Sequence, residues 1–350
     1  MHDIPDSTSR RRGWYPRSSP SAARSILCAR IRCSDWRAEA PLDTPRSCPI
    51  EAVVIDHSER KPPWLKVLAP GGESYTRIKG TLRNLQLHTV CEEAHCPNVG
   101  ECWREGTATV MILGDTCTRG CRFCAVKTGN PRGVVDPLEP EHVAAAVASL
   151  DLRYVVLTMV DRDDLPDGGA SHVAETVRRL HDLRPDLLVE ALVGDFRGRH
   201  GDIATVLDSR PDVFAHNVEV VRRITRLVRD VRCTYDQSLA VLEHAKAHAP
   251  DRITKSSLMV GAGETDDEVL ESLADLHRVG VDIVTLGQYL RPSPKHLAVD
   301  RYVEPAKFAA YSEAAKQMGF KFVASGPLVR SSYRAAEVFV GKMIHGPEGN

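Results

Sequence analysis

From Thr109 onward the chain alternates between short apolar runs rich in β-branched residues and longer amphipathic stretches. The runs at 109–114, 154–160, 187–193, 213–217, 254–260 and 282–287 have the length and composition of buried strands. The stretches between them, including 139–149, 170–183, 236–249 and 266–279, space their apolar residues as helices do. Residues 266–271 supply the acid-rich start of a capped helix. Six β-α repeats in a row imply a parallel sheet with right-handed crossovers. Six is two short of the eight that close a barrel. The expected fold is therefore an α/β open partial (β/α)6 TIM-type barrel with N- and C-terminal extensions.

In such sheets the loops leaving the carboxyl ends of the strands carry the chemistry. Six of the ten cysteines fall within 34 residues and form two triplets. Cys91, Cys96 and Cys102 are spaced C-x4-C-x5-C just before the first run, and Cys117, Cys121 and Cys124 are spaced C-x3-C-x2-C just after it. A closed zinc site takes four ligands, usually as two separated pairs. Three thiolates on a cubane hold three irons and leave the fourth open. Two triplets thus imply two 4Fe–4S clusters, each with one iron not held by cysteine. The open iron accepts hard N and O donors, and the amine and carboxylate of S-adenosylmethionine supply both. The alternative for the second triplet is zinc, completed by His95 or another histidine. The first triplet lacks the C-x2-C runs of ferredoxins, so a cluster there either relays electrons or supplies its own sulfide.

The other polar candidates fall on the same rim: 161–170 after the second run, 194–196 after the third, 261–264 after the fifth and 288–289 after the sixth, while His216, Asn217 and Glu219 end the fourth. Asn217 and Glu219 are candidates for cofactor contacts. His216 reads first as a buried, hydrogen-bonded histidine, and Cys233, alone in sequence, as a small core or surface residue. Residues 1–50, with an Arg-Arg-Arg run and scattered Ser and Pro, read as a disordered leader or a mis-assigned start. An extension bearing the first triplet follows at 51–108, then the barrel at 109–300 and a C-terminal extension at 301–350. Formal net charge is -1, which excludes bulk nucleic-acid binding. No run approaches the roughly 18 apolar residues of a membrane span. Clustered thiols without a secretory segment fit a cytoplasmic protein; a mitochondrial matrix address is the alternative if 1–48 is a transit peptide.

Cys117, Cys121, Phe123 and Cys124, placed behind the first strand, resemble the signature of the radical S-adenosylmethionine (SAM) superfamily. That resemblance implies that Phe123 lies near the adenine. It places Gly168 and Gly169 at the methionine amino group, and Gly263 and Glu264, in Gly-Ala-Gly-Glu, on the adenosine. Alone, such glycine loops are ordinary turns. The motifs CEEAHCPN, GDTCTRGC, DRDDL, GQYL and RSSY, spread over about 60–336, resemble the lipoyl synthase family. This implies insertion of two sulfurs at C6 and C8 of an octanoyl chain on a lysine of a carrier domain, through a 5′-deoxyadenosyl radical. It implies that Cys91, Cys96 and Cys102 hold an auxiliary cluster consumed as sulfur donor, with Ser332 as its fourth ligand. The residues alone do not separate Ser331 from Ser332, and the pair could instead cap a helix beginning near Arg334. Implied partners are the octanoylated lipoyl-carrier domain (2-oxoacid dehydrogenase E2 or glycine cleavage H protein), a low-potential electron donor and an iron–sulfur carrier for cluster repair. Met159, Val220, Ser257 and Ala262 depart from the family pattern near the rim. Competing readings are another two-cluster radical enzyme, such as a methylthiotransferase, or a non-catalytic iron–sulfur or zinc module.

Overall fold

Uniformly apolar runs make strands buried on both faces, which is what a parallel sheet covered by helices demands. In the computed structural model seven strands lie side by side in chain order, all parallel. They are Thr107–Ile112, Tyr154–Met159, Leu188–Leu192, Val213–Ala215, Ile253–Val260, Ile283–Gln288 and Phe322–Gly326. The structure describes residues 61–67, 73–84, 89, 91, 96, 98–104, 107–150 and 152–332. All belong to one compact unit, Arg60–Asn350. The leader, His95 and the helix expected near Arg334 lie outside the described residues.

Six strands match the sequence pattern to within two residues at either end. The seventh, Phe322–Gly326, pairs with the sixth through Ile283–Phe322 to Gly287–Gly326. The sequence pattern leaves this stretch in the C-terminal extension, because it is short and closes on Gly326-Pro327. Helices Glu139–Ser149 and Ala170–Leu183 have the expected bounds, and Tyr235–His248 and Asp266–Arg278 lie one residue away. The acidic start at 266 is a full capping box. Thr265 accepts from the Glu268 N–H, and the Glu268 carboxylate accepts from the Thr265 N–H.

Strand periodicity divides the core in two. Val155 and Leu157 face the helices. Tyr154, Val156, Leu188, Val213, Ile253 and Ile283 form a separate cluster among the strands, near their amino ends. There Lys255 Nζ lies 2.9 and 2.6 Å from the two Glu190 oxygens, and Tyr154 donates to the same carboxylate at 2.6 Å. This fully buried trio plugs the amino-terminal end of the barrel, where each charge is met by its partner. The carboxyl ends of the strands remain open.

Candidate active site

At that open end lies a cavity of about 520 Å³, whose walls include all six triplet cysteines together with Ser331 and Ser332. The loop carrying the second triplet starts at Leu113 and Gly114, both with left-handed backbone, whose N–H groups the Glu139 carboxylate accepts at 2.7 and 3.3 Å. A parallel pairing of Thr116–Cys117 with Lys127–Thr128 closes the loop at its base. Between these anchors the thiols meet backbone donors, Arg119 N to Cys117 Sγ at 3.4 Å and Asp230 N to Cys121 Sγ at 3.3 Å.

Arg119 ties this loop to the next two. Only 4% exposed, it pairs through two nitrogens with Asp195 at 2.7 Å each, and with Asp163 at 3.0 Å each. Burial favours a neutral Asp163, but the ion pairs with Arg119 and Arg197 hold its carboxyl well below the usual range. Arg162, 2% exposed, binds Asp164 and the carbonyls of Leu113 and Val134. The stretch Asp161–Asp164 is thus a knot between loops rather than a solvated charge run. Asp161 faces the cavity, and burial, opposed by Arg119, pushes its carboxyl up to about 6.

The first triplet sits on the opposite extension. Cys102 lies in the short helix Val99–Arg104. The Asn98 carbonyl accepts from Glu101 N and Cys102 N at 3.0 Å each and so nucleates that turn. Burial, helped by the neighbouring Cys96, pushes the Cys91 thiol up to about 11, and burial with the Asp161 charge pushes Cys117 up to about 12. Such thiols are protonated and inert until a metal displaces the proton. Among the described residues no three Cys, His, Asp or Glu side chains close on a single-ion site. Arg330 lines the cavity near Cys96, and its Nη2 is buried without a hydrogen-bond partner, as a group facing an anionic cluster would be.

Residues 111–276 match the radical SAM superfamily, and 51–96 match the N-terminal domain of lipoyl synthase of the radical SAM family. Lipoyl synthase of Sorangium cellulosum (strain So ce56) is 68% identical over 298 residues, covering 81% of this chain and 80% of the relative. That of Anaeromyxobacter sp. (strain Fw109-5) is 60% identical over 291 residues, covering 83% and 99%. That of Thermus thermophilus is 59% identical over 280, covering 80% and 87%. The chain belongs to the lipoyl synthase family. As radical SAM enzymes, members of this family use SAM and a 4Fe–4S cluster. No helix among the described residues is long and apolar enough to cross a membrane. The comparisons lend no support to a mitochondrial address.

In this lipoyl synthase family member, Phe123, Asn217 and Glu219 line the cavity with the cysteines. Asn217 Nδ2 donates to Glu219 Oε1 at 3.1 Å, and Glu219 takes a left-handed backbone as it bridges to Leu258. Gly168 lines a smaller adjoining pocket with Arg119 and Asp161, and Gly169 caps the helix Ala170–Leu183. At Gly169 the left-handed backbone (φ +92°) strains any other residue, and a Cβ would also push on the Leu113 side chain, 2.4 Å from its Cδ1. Gly263 and Glu264 are not in the cavity wall. The Glu264 carboxylate turns back to accept from Gly261 N at 2.7 Å and Ala262 N at 2.9 Å, clipping its own loop. Met159 and Ser257 line the cavity, whereas Val220 and Ala262 are packed in the core behind it. Sequence reasoning gives no role to Arg119 or Arg330; Cys233, read as a small core or surface residue, is buried and also lines the cavity. Arg119 takes its partners Asp163, Asp195 and Cys233 from distant loops, whereas Arg330 donates to the nearby Pro327 and Val329 carbonyls and lies close to Cys96.

Proposed function

We propose that the chain converts a protein-bound octanoyl-lysine into the lipoyl group by inserting sulfur at C6 and C8. The observation that carries this reading is that both cysteine triplets and Ser332 open on one cavity. Cys117, Cys121 and Cys124 hold one 4Fe–4S cluster, and Cys91, Cys96, Cys102 and Ser332 hold a second, auxiliary one. Bound there, reduced cluster and SAM supply a 5′-deoxyadenosyl radical able to take hydrogen from an unactivated carbon, and the auxiliary cluster supplies sulfide. Ser332 would be a weaker partner for soft iron than a thiolate and would hold its iron least tightly. Phe123, Asn217 and Glu219 bound the space for SAM from the barrel side. The Gly168–Gly169 turn stands where the methionine amino group approaches, and Gly263 and Glu264 shape the loop that borders the adenosine. Leu65, Met111, Val126, Met159 and Leu192 give the cavity an apolar wall that receives an octanoyl chain and keeps water from a reactive carbon. The partners are an octanoylated E2 or H-protein domain, a low-potential electron donor and an iron–sulfur carrier that rebuilds the auxiliary cluster. The place of work is the cytoplasm.

An anaerobic single turnover tests this. Reconstituted protein, dithionite, SAM and an octanoyl-lysine peptide should yield 5′-deoxyadenosine and lipoyl peptide by mass spectrometry. Cys96→Ala should keep nucleoside formation and lose sulfur insertion. Nucleoside without sulfur on the peptide in the parent chain would mean a different substrate, as for a methylthiotransferase. Absence of both products would favour a non-catalytic metal module.

A further inference from the structure

Where a cavity wall is exposed, the cavity opens. Among the described residues of this wall, Lys61, Val67 and Pro292 are exposed, and the rest are half-buried or buried. The three lie on two segments, the arm 61–67 ahead of the barrel and the loop 289–297 after the sixth strand. The mouth therefore opens between that arm and that loop.

Both segments hold a fixed shape. Pro62 and Pro63 fix two backbone angles and start a single 3-10 turn, Pro63–Leu65. Leu65 N donates to the Pro62 carbonyl at 3.0 Å, and Lys66 N to the Pro63 carbonyl at 3.2 Å. Leu65, 4% exposed, anchors the turn in the cavity wall. Its neighbours stay outside: Trp64 is 37% exposed, Val67 is 45% exposed, and Lys66 faces solvent. The loop opposite is tied to that of the second triplet. Leu297 N donates to the Arg122 carbonyl at 2.9 Å, and His296 Nε2 to the Cys124 carbonyl at 3.0 Å.

Both segments are also basic. The arm carries Lys61 and Lys66, the loop carries Arg291 and Lys295, and neither contains Asp or Glu. Arg291 donates to the His296 and Pro294 carbonyls rather than to a carboxylate. Among the described residues no carboxylate pairs with Lys61, Lys66 or Lys295. Four cations around the mouth thus lack an anionic partner, a pattern that attracts a surface bearing carboxylates and repels a basic one. An exposed tryptophan and valine set among those charges add the aromatic and apolar anchors of a protein interface.

We propose that this face docks an acidic carrier domain. Trp64 and Val67 make the apolar contact, and Lys61, Lys66, Arg291 and Lys295 meet carboxylates that flank the modified lysine. The octanoyl-lysine side chain then passes between arm and loop into the cavity. This docking face rests on the functional reading above, a protein-bound octanoyl-lysine, and adds where that protein sits and which charge it presents.

The test compares two substrates on the reconstituted full chain: an octanoylated E2 lipoyl domain and a short octanoyl-lysine peptide without acidic residues. Fluorescence anisotropy of the labelled domain gives its Kd, and lipoyl product gives kcat and KM for each substrate. Lys66→Glu combined with Lys295→Glu reverses charge on both sides of the mouth, at positions outside the cavity wall. The pair should raise Kd and KM for the domain at least about tenfold, with kcat and KM for the peptide unchanged. Lys66→Arg with Lys295→Arg should bind the domain as the parent does, and Trp64→Ser should weaken it. The parent's affinity for the domain should fall as salt rises. Unchanged affinity after charge reversal overturns the docking face, and so does an equal loss on the peptide. A parent chain that turns over neither substrate overturns the functional reading instead, so the two failures are distinguishable.

Discussion

At His216 a chain of hydrogen bonds leaves no place for a second ring proton. Arg229 Nη1 donates to Ser238 Oγ at 2.8 Å, so the Ser238 hydrogen goes to His216 Nε2 at 3.0 Å, and Nδ1–H donates to the Val193 carbonyl at 2.9 Å. Burial first, and then the Arg229 charge, push this histidine down to about 4 from its ordinary 6.5. Below pH 6.5 the unfolded chain takes up a proton that the folded chain refuses until about pH 4. The stabilising contribution is therefore complete above 6.5 and declines as the pH falls toward 4. Between pH 7 and 5 the loss is about 2 kcal/mol. Urea unfolding of the cluster-free chain at both pH values should show a pH dependence smaller by that amount in His216→Gln than in the parent. Equal dependence would mean that His216 titrates normally. The residue type and its place at a strand end are enough to anticipate a bonded, buried histidine. Cys233 is not readable in the same way, because Arg119, which donates to its sulfur, is over a hundred residues away along the chain.

Among the elements, those with local signals are legible and those defined by distant partners are not. The Thr265–Glu268 capping box lies within four consecutive residues, and so the helix Asp266–Arg278 can be read directly. The strand Phe322–Gly326 has only one fully buried residue, Ala324, and lacks the long apolar run of its neighbours. Pairing with the sixth strand creates it. The same junction explains the glycine of the GQYL motif. At Gly287 a Cβ would stand 2.0 Å from the Val329 carbonyl oxygen and 3.0 Å from its carbon, both backbone atoms that must then move. That carbonyl belongs to the turn that places Arg330, Ser331 and Ser332 in the cavity wall shared with the first triplet. Gly287→Ala should displace the turn and spare the second triplet's loop. If the first triplet holds one of two 4Fe–4S clusters, iron and sulfide assays should then show a fall of about half in iron per chain. The variant should still form 5′-deoxyadenosine while lipoyl product disappears. Full iron content would show that the turn tolerates the shift.

For the whole molecule, the alternation of runs makes a parallel, partly open barrel legible, but not how its open side is spanned. The first and seventh strands are the two edges of the sheet and do not pair with each other. Among the described residues the Asn98 side chain joins their neighbourhoods, donating to the Leu328 carbonyl at 2.6 Å across 230 residues of sequence. A contact of that separation leaves no local trace in the chain. Beside it the first triplet, ahead of the first strand, and Ser332, beyond the seventh, share a cavity wall. An auxiliary cluster bound by both would clamp the two edges together, with binding free energy that acts directly as local stability. The middle strands need no such clamp, since their core is filled by the buried Lys255–Glu190–Tyr154 trio and the cluster around it. Removing iron anaerobically with a chelator should therefore speed amide hydrogen exchange at 98–104 and 326–332 by at least tenfold, corresponding to about 1.4 kcal/mol of local stability. Exchange in Tyr154–Met159 and Ile253–Val260 should change little. Uniform acceleration through all seven strands would mean instead that the clusters support the barrel as a whole, and that its interior plug is too weak to hold the sheet without them.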